Sequence, residues 1–530
     1  MAEDVGGEEK ISDRVMILFM GGSHEHAITS IQHFVPDAVH IITSDKYDKV
    51  YRRRLREWSQ KYKFRRGTVQ AVSDLFEPSS VSSLIGCAWS VAGHEHKLSE
   101  GKIETWKWNI GITGGTIKSI SKTPLKGKSV IDAKGLVVAP GFVDLHRHGH
   151  SEQAYRLQVQ DGVTTGLELE IGTADVEAWY GAREGGQLVN YGVSMGHIGA
   201  RAVAMGDPVT GLGGVTTREP ATEGQIAETE RLIREGLAQG AVGVGLGSAY
   251  TPGAPMAEIE RMFAVAADAG VTAFIHMRGG LQGLDSTLTA ARNVGAPLHV
   301  VHANSSGGGN IVRFLAMIEA AQSAGQDVTT EAYPYAASST GIQAALFDNW
   351  ESWEDGRFNQ YQWVGTGERL TRETFGRYRA EGGTVIIHSR TEEMTLTAVT
   401  SPITMVASDA MPAGHPRGAG TFAKVLGRYV REQGALRLMD ALRKMTIEPA
   451  RRLEAWVPAL RNKGRIRVGS DADITVFDPE TVIDRATYLD GSIPSEGIEY
   501  VFVNGVLVVD GGEVVGGVRP GRAVRIPSAL

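Results

Sequence analysis

Cysteine is almost absent from this 530-residue chain: Cys87 is the only one. A single thiol excludes an intramolecular disulfide scaffold, and a reducing, cytoplasmic setting is expected. Long apolar runs are missing too. None approaches the roughly 18 residues that a membrane helix needs, so no membrane span is expected. The opening MAEDVGGEEK lacks both the basic start and the apolar stretch of a signal peptide. Charge of one sign is not in large excess either. A net charge of −7 gives no bulk attraction to a nucleic-acid polymer or a lipid surface. What is present is ordinary for a large globular protein, with 42% hydrophobic and 22% charged residues. The 66 glycines fall largely at strand–loop junctions, which suits the tight turns of an α/β protein. The length points to about two to four domains.

Residues 1–100 read as a small Rossmann-like α/β domain. Strand-like runs at 14–23, 37–44 and 67–76 alternate with helical patterns at 25–34, 49–66 and 79–93. Such alternation with short turns implies a parallel sheet. Residues 46–66 hold ten Lys and Arg, read as a solvated face or as a receiver for an anionic ligand.

Beyond residue 100 the texture changes. Short, Gly-broken strands at 106–120 and 128–141 are matched by others at 465–478, 498–514 and 521–526. Residues 101–139 and 460–530 are therefore expected to build one small β-sandwich from both flanks. The middle, 140–459, holds eight apolar strand-like runs: 141–146, 163–171, 192–198, 240–246, 272–277, 297–302, 327–333 and 403–409. Helical stretches separate most of them, as at 221–239 and 254–270. Eight strands in such an alternation fit a (β/α)8 TIM-like barrel. The 334–402 connection is too long for a simple loop and is expected to form an inserted subdomain or lid.

In such a barrel the chemistry lies at the C-terminal ends of the strands. Those ends carry His146 and His148, then Glu168 and Glu170, His197, His276 with Arg278, His302, Tyr333 with Tyr335, and Asp409. His146 and His148 stand two apart on a strand and so share a face. Converging imidazoles and carboxylates of this kind match a hydrolytic zinc site of one or two ions. A carboxylate of the second strand, Glu168 or Glu170, would bridge two metals. His276 and His302 would complete the second position. Asp409 would serve as ligand and general base together. His150 reads as a loop residue. The pairs His24/His26 and His94/His96 lack convergent partners and read as surface or turn residues, and Cys87 as helix packing.

The segments APGFVDLHRH, GVTT, MGHIGARAVAMG, FIHMR, TTEAYPYAASST, SDA, HPRGAGTFAKVLGRYVRE and GRIRVGSDADITVFDP resemble the amidohydrolase superfamily, and within it the N-acyl-D-amino-acid deacylase branch. The resemblance covers about residues 105–525. It implies a barrel with a β-sandwich, zinc, and hydrolysis of a small-molecule amide. Arg278 or Arg417 would then pair with a substrate carboxylate, with Tyr333, Tyr335 and His197 as further substrate contacts. Two departures stand out. The branch usually has a metal-binding cysteine after the second strand, where this chain offers Glu170 ahead of Glu168. It often has a lysine two residues beyond the sixth-strand histidine, where this chain has Asn304.

The stretch MILFMGGSHEHAITSIQHFVPDAVHIITSD with TVQAVSDLFEPSSVSSLI resembles CARF domains. That resemblance implies a cyclic oligoadenylate held near Gly21, Gly22 and Ser23, and an effector whose barrel deaminates a nucleotide. A plain α/β accessory or oligomerisation domain, in a homo-oligomeric deacylase, is the other reading. A catalytically degenerate barrel kept for binding or assembly is a third, against which the complete donor set argues.

Overall fold

The structure, a computed structural model, describes residues 108–208, 212–411 and 414–527, together with the backbone of the strands Val15–Met20, Ala38–Thr43 and Arg66–Ala71. The chain divides into two compact units, Met1–Lys107 and Trp108–Leu530.

In the first unit the three strands pair in parallel and in chain order. Parallel neighbours require a crossover between them, as the strand–helix alternation leads one to expect. The third strand starts at Arg66, inside the range read as a basic helix. The expected helices, His24, His26, His94, His96, Cys87, and the Gly21, Gly22 and Ser23 loop lie outside the described residues.

The second unit is built on an eight-stranded parallel sheet that runs in chain order. Its strands are Phe142–Asp144, Val163–Thr173, Asn190–Gly196, Val244–Leu246, Ala273–Ile275, Leu298–Val300, Val328–Ala332 and Thr404–Val406. All eight coincide with the apolar runs, because strands covered on both faces must be apolar throughout. The ring closes where Arg147 bridges Ala410 in parallel. There Asp409 N–H donates to the His146 carbonyl and His148 N–H to the Ala410 carbonyl, each at 2.7 Å. Asp144, fully buried, fastens the same seam by accepting from Ser408 N–H at 3.0 Å and Ser408 Oγ at 2.5 Å.

Amphipathic helices cover the barrel. Glu223–Ala238 starts at Thr222, which forms a reciprocal capping pair with Gln225. This satisfies backbone donors that the first turn would leave unpaired. Its Ile233 and Leu237 enter the barrel's core cluster.

The flanks form sheet structure from both sides of the barrel sequence. Val137–Pro140 pairs with Ile474–Phe477, and Ile498–Val503, Val506–Asp510 and Glu513–Val514 continue that sheet. The hairpin Asn109–Thr113 and Thr116–Ser121 turns through Gly114 and Gly115, whose φ values of +59° and +81° suit glycine.

The long connection folds into a subdomain. Ser338–Gly341, Thr384–Ile387 and Tyr361–Trp363 make a three-stranded antiparallel sheet. Phe347, Trp353, Phe358, Tyr361 and Phe375 pack together in an aromatic cluster that Ile198 and Tyr250 join from the barrel. That cluster accounts for the aromatic richness of this stretch.

Among the described residues, no helix is long and apolar enough to cross a membrane.

Candidate metal centre

Two donor groups meet at the C-terminal mouth of the barrel. His146, His148, Glu170 and Asp409 form one, and Glu170, His276 and His302 form the other. Glu170 belongs to both. Its Oε2 lies 3.0 Å from His146 Nε2 and 2.9 Å from His148 Nε2, while its Oε1 lies 2.6 Å from His276 Nδ1 and 3.6 Å from His302 Nε2.

Hydrogen bonds behind the imidazoles set their tautomers. His146 Nδ1 meets Glu331 Oε1 at 2.5 Å, and His148 Nδ1 meets Glu168 Oε2 at 2.8 Å. A carboxylate accepts only, so each Nδ1 carries a hydrogen, and each Nε2 is the nitrogen left to present a lone pair to a bound cation. Those two Nε2 atoms lie 3.1 Å apart and face Asp409 Oδ1 at 3.4 and 3.5 Å. In the second group His302 Nε2 comes within 3.0 Å of His276 Nδ1, while His302 Nδ1 meets Ser306 Oγ at 3.2 Å. Acceptors crowded this closely repel one another unless a cation sits among them. Nitrogen and oxygen donors in this arrangement fit zinc, with a carboxylate shared between two positions.

The electrostatics agree. Burial opposes charge on His146, yet Asp409, Glu331 and Glu170 outweigh it and push the imidazole well above its ordinary pKa. Burial would raise the Glu331 carboxyl, but His146 overrides it and holds it near 2. Glu168 is also held near 2 against burial, chiefly by His148. The pocket carries surplus negative charge and favours a cation.

Local backbone geometry aims two of the donors. His302 and Asp409 adopt φ values of +36° and +52°, conformations that non-glycine residues hold at some energetic cost and that concentrate at functional sites. Asp409 Oδ2 is engaged by Arg417 Nη1 at 2.9 Å, leaving Oδ1 toward the imidazoles. Burial acts against the Asp409 charge, but Arg417 and His146 hold its carboxyl well below the usual carboxylate range.

All six residues expected as ligands converge. Glu170 takes the shared place, whereas Glu168 supports His148 and accepts from the backbone of Ile171 and Gly172 at 3.3 and 3.4 Å. His150 stands aside, its Nδ1 meeting Tyr155 Oη at 3.3 Å.

Of the expected substrate contacts, Tyr333 and Arg417 lie together, the guanidinium 4.9 Å from the ring. The structure does not bring three others into this cluster. Arg278 donates to the carbonyls of Ser248, Thr251 and Ala254. His197 pairs with Glu258 at 2.9 Å in full burial. Tyr335 Oη donates to Asp484 at 3.0 Å. The branch's lysine position holds Asn304, whose Nδ2 donates to the Tyr333 carbonyl at 3.1 Å.

Sequence reasoning missed Glu331, which holds both His146 and His299, and Arg390, which reaches Tyr333 from the inserted subdomain. Glu331 had a usable signal, since it lies on the barrel strand Val328–Ala332, two residues before Tyr333, which follows the strand's end. Arg390 had none, because nothing local ties it to the barrel.

A closed parallel barrel with such a donor set at its mouth defines a metal-dependent hydrolase acting on C–N bonds. The chain belongs to the amidohydrolase family, which matches residues 129–509, and within it to the D-aminoacylase branch. It is 31% identical to the N-acyl-D-glutamate deacylase of Alcaligenes xylosoxydans xylosoxydans, over 80% of this chain and 93% of that one. It is 29% identical to the D-aminoacylase of the same organism, over 76% and 90%. Among solved structures it resembles the N-acyl-D-glutamate deacylase of Bordetella bronchiseptica, bound to zinc and a phosphonate mimic of the tetrahedral intermediate. The TM-score is 0.68 at 27% identity, covering 79% of this chain and 95% of that one. A D-aminoacylase structure gives 0.67 at 27% identity, with the same coverage. A further D-aminoacylase structure is described as having a binuclear metal centre.

Proposed function

We propose that the protein hydrolyses the amide bond of N-acyl-D-amino acids, with zinc held by His146, His148, Glu170 and Asp409 and by Glu170, His276 and His302. The observation that carries this reading is Glu170, whose two oxygens each face a separate pair of imidazoles. Bound zinc would polarise the amide carbonyl and lower the pKa of water to about 7.

The chain's own residues supply the rest. Asp409 takes the proton of the attacking water on Oδ1, the oxygen beside His146 and His148, and returns it to the departing amine. Arg417 fixes the carboxylate by holding Oδ2. Tyr333 Oη accepts from Arg390 Nη2 at 2.8 Å, so its own hydrogen remains to donate to the oxyanion of the tetrahedral intermediate. Arg417 Nε is buried without a partner and is the donor offered to the substrate's α-carboxylate.

The zinc-loaded protein incubated with N-acetyl-D- and N-acetyl-L-amino acids tests the proposal through release of free amine. Turnover of D substrates alone is expected. Absence of turnover across the D series overturns it.

A further inference from the structure

The side chain of Arg147 takes no part in either donor group. His146 and His148 turn into the barrel, so alternation sends the residue between them to the outer side. There the guanidinium meets the helix Glu152–Gln160 and is fully buried. Its Nη1 donates to Gln158 Oε1, and its Cζ lies 4.7 Å from the ring centre of Tyr155. Nε and Nη2, which form the other edge of the fork, are buried without a hydrogen-bond partner, and so is Gln158 Nε2. Among the described residues, no carboxylate lies at ion-pair distance from Arg147. Asp144 and Glu168 act on it only at longer range and are engaged by Ser408 and His148.

Arg147 and Gln158 line a cavity of about 280 Å³. Gly149 lines it too, and a β-carbon there would come within 3.9 Å of Arg147 Nη2, which sets the free edge of the guanidinium at the cavity wall. No metal donor belongs to that wall. His415, on another side, has no atom to spare. Its Nδ1 accepts from Arg417 N–H and its Nε2 donates to the Ala337 carbonyl, both at 3.1 Å. Asp490 is the carboxylate among the described lining residues. It stands at the exposed rim and accepts from Ser492 N–H at 3.1 Å and Ser492 Oγ at 2.6 Å.

Charge decides the occupant. An arginine stays protonated inside a protein. Water would satisfy the Gln158 amide but would leave the buried cation without a counter-charge, which is costly. An oxyanion meets both free nitrogens of the fork at once, with an oxygen left for the amide.

We propose that this cavity binds a small oxyanion, a carboxylate or a phosphate, through Arg147 Nε and Nη2 and Gln158 Nε2. The site is separate from the metal centre and independent of the deacylase reading. Its wall is the back of the barrel seam, where Arg147 bridges Ala410. His146, His148 and Asp409 are the residues next to these two in the chain, so a bound anion braces the strand ends that carry three metal donors.

Calorimetric titration of the zinc-loaded protein with sodium acetate and with sodium phosphate, in a chloride-free zwitterionic buffer, tests this and separates the two anions. One saturable site per chain is expected for at least one of them, with a melting temperature that rises with its concentration. Arg147→Met should weaken that site by about tenfold or more, and Gln158→Leu by a smaller factor. A crystal structure of the wild-type protein with the anion that binds needs no substitution. Density against Arg147 Nε and Nη2 is expected there. Absence of saturable binding, binding that both variants retain in full, or density on zinc alone overturns the proposal.

Discussion

The imidazole of His146 and the carboxylate of Glu331 meet at 2.5 Å across the barrel, though 185 positions separate them in the chain. Glu331 also meets His299 Nε2 at 3.2 Å and accepts from His302 N–H at 3.4 Å. It therefore steers ligands of both donor groups without belonging to either.

Glu331→Gln should weaken zinc binding by about 10–100-fold, because the carboxylate that fixes the His146 ring and raises its basicity is gone. Titration against a competing chelator measures this. Unchanged affinity would show that His146 needs no such partner.

Glu170→Ala removes the only residue common to both groups. Elemental analysis should find two zinc ions per wild-type chain and at most one in the variant. Two retained ions would refute the shared position.

Asp409→Asn should reduce kcat by about 1,000-fold or more while the chain still folds, since the amide cannot take the water's proton at neutral pH, and the melting temperature should fall because Arg417 is left buried without its anion. Steady-state kinetics and thermal unfolding, run on one preparation, separate this from misfolding. Retained turnover would remove Asp409 from the proton path.

The fourth test concerns the scaffold and its acid sensitivity. Glu258, almost fully buried, accepts from His197 at 2.9 Å and from Arg201 Nε at 2.7 Å. Burial would raise its carboxyl, but His197 and Arg201 pull it below the ordinary value of 4.5. A carboxyl with a depressed folded-state pKa contributes stability that is present above its unfolded value and lost as pH falls through the folded one. Glu258→Gln should therefore cost about 3–5 kcal/mol at pH 7, where Arg201 is left buried without its anion. The gap from wild type should shrink below pH 4.5. Urea unfolding at several pH values measures it, and a gap independent of pH would contradict the ion-pair account.

The barrel was legible in the sequence for a simple physical reason. Parallel strands buried on both faces must be apolar, so each of the eight announces itself as a run such as ITMVASD or TAFIHMR. The runs overstate strand length at the mouth. The eighth reaches residue 409 as a pattern but ends at Val406 as a strand, since Asp409 leaves the ladder for a left-handed conformation that aims its carboxylate. His146 and His148 were legible from alternation. The choice between Glu168 and Glu170 was not, because residues two apart share a face, and only the position of the opposing imidazoles separates them. Arg278, His197 and Tyr335 stand at strand ends as expected, yet their polar atoms meet backbone carbonyls, Glu258 and Asp484. Spacing along the chain carries no record of such partners. Arg390 illustrates the converse. It lies in an inserted segment whose path back to the barrel depends on how its aromatic cluster packs.

The seam joining Arg147 to Ala410 has a consequence for synthesis. A ribosome that has passed residue 302 has already made five of the six donors, His146, His148, Glu170, His276 and His302. The sixth, Asp409, arrives about a hundred residues later on the strand that shuts the ring. Prematurely released chains therefore lack the Asp409 carboxylate and the ring closure together, and on the proposed mechanism they would be inert instead of partly active hydrolases. Turnover is a property of the finished chain.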